Sequence, residues 1–131
     1  MQTREAQVNK GGGTDGETQL AADALHVATV AAEVGEFEAQ VIPFGLTASM
    51  ARHGAGANDV VDAILSLRSA VVSAAGLDPA TEPVPLVVGD AAVAAVSLGR
   101  YLQGLLDRAA RAMCTDHAAV SNATLALLRA G

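Results

Sequence analysis

Three side chains that could do chemistry stand close together near the C-terminus: Cys114, Asp116 and His117. A thiol and an imidazole three residues apart on a helix can touch, so Cys114 and His117 could pair as nucleophile and base. Such a pair also needs a group that orients the imidazole and donors for a developing oxyanion, and the sequence shows neither. We therefore predict no catalytic residue and no enzymatic activity. Because Cys114 is the only cysteine, no disulfide can form within the chain.

Metal and phosphate chemistry are equally poorly supported. Asp23 and His26 have the i, i+3 spacing of two ligands on one helix face, but two groups do not make a metal site. Lys10 precedes the glycines at 11–13, whereas a phosphate loop places its lysine after the glycines and follows a strand. We predict no cofactor and no metal.

Charge and composition exclude several classes of partner. The formal net charge is −6 and aromatic residues make up 2% of the chain, which argues against binding to nucleic acid. No run of eighteen uncharged apolar residues occurs, so we expect no membrane insertion. The first residues are polar, so we expect a cytoplasmic protein or one exported without a cleaved signal peptide. Arginine strongly outnumbers lysine, a bias typical of high-GC genomes such as those of actinobacteria.

Hydrophobic residues recur at spacings of three and four along the chain, which predicts an all-α fold. We expect a helical bundle of about three main helices with a long C-terminal amphipathic helix. Residues 1–16 are polar and glycine-rich and are predicted to form a flexible N-terminal arm. Residues 17–131 are predicted to form a single helical domain.

Local signals set the expected boundaries in the first half of the chain. The first helix is expected to begin at Thr14 or Asp15, and Thr29 to lie on its outer side. Proline followed by an aromatic residue and glycine predicts a turn at 43–45. A short helical piece is expected after it, over 46–53.

The second half has clearer signals. A helix is expected over 59–75, with Asn58 as its N-cap and Gly76 as the residue that ends it. Three prolines make residues 77–89 a linker. Asp90 is expected to cap the last helix.

The last predicted helix, about residues 90–129, carries one apolar stripe, called the seam below. A helix of this length would be about 60 Å long, so either it breaks or a partner covers it. Asp116 projects into the seam, which indicates a break near Thr115, a contact with water or with an arginine of a neighbouring helix, or a specific contact with a partner chain. We predict the following partner-interface residues: Leu98, Leu102, Leu105, Met113, Asp116, Val120 and Leu127.

The order of elements resembles a known class of small helical proteins. Phe44-Gly45 stands where an aromatic–glycine turn would lie, and the Ala-rich stretch 101–119 would be a final helix that contains Asp116. In these features the chain resembles the WXG100 and EspC-like families of actinobacterial type VII secretion, although Ala112 occupies the position of the tyrosine in a Tyr-x-x-x-Asp export signal. The resemblance implies a non-catalytic helical partner, paired as a dimer and exported without a cleaved signal.

The sequence thus predicts a non-catalytic helical protein that associates through the seam with itself or with another helical protein, as a secretion-associated partner or substrate. Two alternatives stay open at this point. The first is an intracellular scaffold or regulatory subunit, which would also be non-enzymatic. The second is a helical protein that binds a small ligand in a pocket between its helices.

Overall fold

The computed structural model describes residues 5–34, 41–82 and 90–130, and all regular structure in these ranges is helical. The all-α prediction is confirmed, whereas a bundle of about three main helices is not, because the described part of the chain has five. The predicted short piece is a longer helix, and the predicted last helix is divided in two. The helices are α1 (Glu5–Val34), α2 (Val41–His53), α3 (Ala57–Ala75), α4 (Ala91–Ala112) and α5 (His117–Ala130), with a 3-10 turn at Pro79–Thr81.

The break between α4 and α5 lies where Asp116 indicated it. Cys114 has a φ of 55°, a left-handed conformation that an α-helix does not contain. The backbone N–H of Thr115 donates to the carbonyl of Ala110 at 2.9 Å, which closes the helix end in the manner of a Schellman motif. Asp116 is exposed, and its Oδ1 accepts from the backbone N–H of Ala119 at 2.9 Å. Asp116 therefore caps α5 and is not buried in the seam.

The turn predicted at 43–45 is wrong, because these residues lie inside α2. Pro43 is the third residue of the helix. The first four N–H groups of a helix have no intrahelical acceptor, so proline removes no hydrogen bond at this position. The helix therefore begins before the proline, at Val41, and not after it.

The first helix begins earlier than predicted, at Glu5. Glu5, Ala6 and Gln7 are good helix formers, and Thr14 lies well inside the helix and cannot cap its start. Glu17, three residues further on, accepts a hydrogen bond from Ser66 of α3 at 3.1 Å. Whether residues 1–16 behave as an arm separate from the domain stays a prediction.

The boundaries of α3 and α4 follow the sequence signals closely. The N-cap of α3 is Gly56 and not the predicted Asn58, and the backbone N–H of Gly56 donates to Asp59 Oδ2 at 3.1 Å. Gly76 ends the helix with a φ of 69°, as predicted. Asp90 caps α4 as predicted, with its Oδ1 accepting from the N–H of Val93 at 3.0 Å. Residues 83–89 of the predicted linker lie outside the described residues.

The core forms around two helices, α1 and α4, each of which packs against all four others. Thr29, expected on the outer side of α1, is buried because α5 covers that side. The core is filled by large, fully buried side chains of α1 to α4, and α5 adds Val120. Those of α1 to α4 are Leu25, Ile42, Leu46, Val60, Ile64, Leu67, Val71, Leu98, Leu102, Leu105 and Leu106. No helix within the described ranges is long and apolar enough to cross a membrane.

Two glycines allow helices to approach closely. A Cβ built on Gly99 of α4 would lie 1.6 Å from Ile42 Cγ2, and one on Gly45 of α2 would lie 2.7 Å from Val27 Cγ2. Both distances are shorter than non-bonded carbon atoms tolerate. The backbone of α2 therefore fits against α4 and α1 only because these positions lack a side chain.

We predict that G99A destabilises the protein by about 1–3 kcal/mol, because the added methyl group must displace buried Ile42. G104A is the matched control on the same helix. Its Cβ would meet only Arg108 Nη1, at 3.3 Å, a contact that a shift of a few tenths of an ångström relieves. We expect G104A to be neutral or to stabilise the chain by up to about 1 kcal/mol. Urea unfolding of both variants measures the difference, and equal midpoints would contradict the close contact.

Candidate functional site

The structure separates the predicted interface residues into two groups. Most of the seam lies inside the chain's own core, and the remainder is at the surface. Asp116 and Leu127 are exposed, with Leu127 44% accessible, and Met113 is partly buried. The four fully buried seam residues are Leu98, Leu102, Leu105 and Val120.

The three residues that suggested thiol chemistry do not converge. His117 Nε2 lies 2.7 Å from Asp107 Oδ1, so the imidazole joins α5 to α4. Cys114 is exposed in the intervening turn, and Asp116 is engaged as the helix cap. Across the described ranges, no group of three His, Cys, Asp or Glu side chains is arranged to hold a metal ion.

A polar cluster that sequence reasoning missed joins α1 to α2. Asp23 Oδ2 accepts from Ser49 Oγ at 3.1 Å and from Arg52 Nη2 at 3.0 Å, and it lies 2.9 Å from His53 Nε2. Its other oxygen accepts from Gln19 Nε2 at 3.1 Å. Ser49, Arg52 and His53 have the spacing of residues on one face of a helix. This spacing is the feature of the sequence that could have indicated the cluster. Asp23 itself could not be paired with them from sequence, because it lies 26 residues or more away.

The surroundings of Asp23 fix its charge. Partial burial raises the pKa of the carboxyl group, but hydrogen bonds from His53, Arg52, Gln19 and Ser49 outweigh this effect and lower the pKa to about 2. Ser49 is fully buried, so its hydroxyl cannot reach a substrate. The cluster has the residue types of a hydrolase, but its geometry is that of a helix-to-helix contact.

A second polar cluster holds the segment that follows α3. The buried Glu82 accepts from Arg108 Nε through Oε1 at 2.8 Å. Arg68 Nε donates to the backbone carbonyl of Glu82 at 2.9 Å and lies 3.0 Å from the Tyr101 hydroxyl. These contacts join α3 to α4. Like the Asp23 cluster, they satisfy a carboxylate inside the fold and leave no reactive group aimed at solvent.

One cleft has charged walls. It has a volume of about 330 Å³ and lies beside His53 where α1, α2 and α3 meet. This volume is at the low end of the range for small-molecule sites. The carboxylates on its walls would favour a ligand that carries a cationic group. The lining residues are Gly16, Glu17, Leu20, His53, Gly54, Ala55, Asp59 and Asp62.

Two further grooves, with mainly apolar walls, lie on either side of α5. The first, of about 380 Å³, separates α5 from α3 and contains Leu127 together with Ser66, Ser69 and Ser73. The second, of about 270 Å³, separates α5 from α1. Its walls are Ala22, Leu25, His26, Thr29, Val30, Glu33, Ala118, Ser121, Asn122 and Leu125.

The low pKa of Asp23 predicts a loss of stability in acid. Because the native state favours the ionised form, this contribution is fully present above about pH 4 and is lost as the pH falls towards 2. We expect the wild type to lose on the order of 1 kcal/mol more than D23N over this interval, after allowance for solvent screening of exposed Arg52. Urea unfolding at a series of pH values measures it, with D62N as the exposed control. Equal losses in wild type and D23N would contradict this assignment.

Comparison with known proteins does not assign the chain to a family. A scan of protein-family models and searches of curated proteins and of solved structures found no match. The residues that carried the resemblance to the WXG100 and EspC-like families lie in α2 at Phe44-Gly45 and, for the stretch 101–119, across α4, the turn and the start of α5. Membership of those families therefore stays a prediction.

Proposed function

We propose that this protein is a non-catalytic helical protein that acts by associating with a second copy of itself or with another helical protein. The polar clusters support this proposal, because Asp23 and Glu82 are each satisfied by contacts between helices of the same chain. The buried seam holds α4 and α5 in place. Association then depends on what the folded chain leaves at its surface.

The observation that carries the proposal is a set of large apolar side chains that remain exposed on several helices. Phe44 of α2 is 76% exposed, Val34 of α1 is 55% exposed and Leu127 of α5 is 44% exposed. Covering a side chain of this kind fully is worth about 1.5–3 kcal/mol. A helical partner would gain this energy without any rearrangement of the core.

Leu127 and Asp116 are the predicted interface residues that a partner can reach directly. Leu98, Leu102, Leu105 and the other buried seam residues would act indirectly, by fixing the helices that present the surface. An interface mutation should therefore be made at an exposed position. L105D would place a carboxylate in the core and unfold the chain before association could be measured.

Binding of a small cation is the second candidate function. It is favoured by the cleft beside His53, where Glu17, Asp59 and Asp62 provide three carboxylates around about 330 Å³. A ligand that binds only the native state raises the melting temperature. Ligand binding would therefore be seen as a rise in melting temperature, whereas self-association would be seen as a rise in mass. Both can be measured on the same purified chain.

The finer part of the proposal is a role in type VII secretion, supported by the resemblance of the sequence to the WXG100 and EspC-like families. A secretion partner or substrate is expected in the culture filtrate together with a helical partner. An intracellular scaffold is expected to stay with the cells. Fractionation of the source organism distinguishes the two.

The test of association is the absolute mass of the full chain over a wide concentration range, measured by light scattering and sedimentation. Reducing agent is present because Cys114 is exposed. We expect a mass that rises with concentration above the 13.1 kDa of one chain. A constant single-chain mass, with a melting temperature that a small aliphatic diamine raises, would contradict self-association and favour the cleft.

A further inference from the structure

We infer that two copies of this chain exchange α5, so that α5 of each copy packs on α1, α3 and α4 of the other. This inference rests on the proposed self-association and names the segment through which it occurs. The receiving surface is the one that α5 covers in the structure, where it contacts all three helices. Because the two copies have the same sequence, α5 of a second copy fits this surface through the same contacts.

The turn between α4 and α5, residues 113–116, is the hinge of this exchange. Cys114 has a φ of 55°, and the left-handed conformation is unfavourable for a residue other than glycine. The hinge is also short, since α4 ends at Ala112 and α5 begins at His117. A short hinge under strain favours exchange, because the strain is relieved when the two helices join into one.

The sequence across the hinge is compatible with one continuous helix. Residues 105–130 contain neither glycine nor proline, the two residues that are least favourable in a helix. The apolar spacing that predicts a single helix over about 90–129 also continues through the hinge. Regular intrahelical hydrogen bonds would then replace the bond from the Thr115 N–H to the Ala110 carbonyl. In this form α5 would point away from its own core and leave its place open to a second copy.

α5 is also held by little apolar surface. It buries Val120, Ser121 and Thr124, so only one of its buried side chains is apolar. Thr124 Oγ1 is buried and has no hydrogen-bond partner within the described part of the chain, which is unfavourable for a hydroxyl group. Leu125 and Leu128 are only partly buried against the core. Detaching α5 therefore exposes less apolar surface than detaching α3 or α4 would.

Hinge variants test the exchange by sedimentation equilibrium of the full chain with reducing agent. In H117P, proline occupies the first position of α5, where it removes no intrahelical hydrogen bond. In a continuous helix the same proline would lie in the interior and break it, so we expect the dimer to weaken about a hundredfold or more. H117A is the matched control. It also loses the contact with Asp107 but permits a continuous helix, so it should keep the dimer.

D116A should act in the opposite direction. Asp116 caps α5 only when the chain turns back, so its loss should strengthen the dimer about tenfold. Circular dichroism and urea midpoints check that each hinge variant is folded.

A disulfide across the α5 contact identifies the chain that supplies the helix. The hydroxyl groups of Thr29 and Ser121 are hydrogen-bonded to each other, so T29C/S121C brings two thiols together, and C114S removes the remaining thiol. The dimer and single-chain fractions of this triple variant are separated, oxidised and then denatured. We expect the dimer fraction to keep a two-chain mass, because each disulfide joins α1 of one copy to α5 of the other. The single-chain fraction is the control and should give an intrachain disulfide.

Two results would overturn the exchange of α5 while self-association stands. They are a dimer fraction that oxidises and is then released as single chains, and a dimer that H117P leaves unchanged. In either case the copies would meet through their exposed surfaces. A single-chain mass for the wild type at all concentrations would overturn self-association itself.

Discussion

Close approach of helix backbones is the constraint on which the rest of the fold depends. α2 has 13 residues and contacts both central helices, and at Gly99 and Gly45 there is no space for a side chain between it and its neighbours. Alanine has the same effect elsewhere in the core, at positions such as Ala28 and Ala95. A chain with 51% hydrophobic but 2% aromatic residues cannot fill wide gaps, so its helices must lie near each other.

The break between α4 and α5 is what makes this packing possible within one chain. A continuous helix would have left the second half of the seam without cover. With Cys114 in a left-handed conformation and Asp116 capping the next helix, α5 turns back and places Val120 in the core. Leu127 lines the groove between α5 and α3 and stays 44% exposed, whereas its neighbour Leu128 packs against the core. The division of the seam into a buried part and a surface part thus follows from the side of α5 on which each side chain lies.

Features with local causes could be predicted from the sequence, and features with distant causes could not. The body of α3, its end at Gly76 and the cap at Asp90 each depend on residues within a few positions. The turn predicted at Pro43 is wrong because a proline breaks a helix in its interior but not in its first turn. The neighbouring residues do not reveal which of these positions Pro43 occupies. The ion pairs of Asp23 with Arg52 and of Glu82 with Arg108 join residues 29 and 26 positions apart, and no periodicity encodes such pairs. Thr29 is buried only because α5 returns to cover it.

The Asp23 cluster has a consequence beyond joining two helices. An unpaired Asp23 would place a further negative charge where α1 meets α2, in a chain whose net charge is already −6. Arg52 of α2 neutralises it there, and His53 Nε2 lies 2.9 Å from the same carboxylate oxygen. The close approach of α2, which the glycines permit, therefore also determines the local charge around Asp23. In a chain with a net charge of −6, each carboxylate that is balanced within the fold lowers the repulsion that an acidic partner would meet at that place.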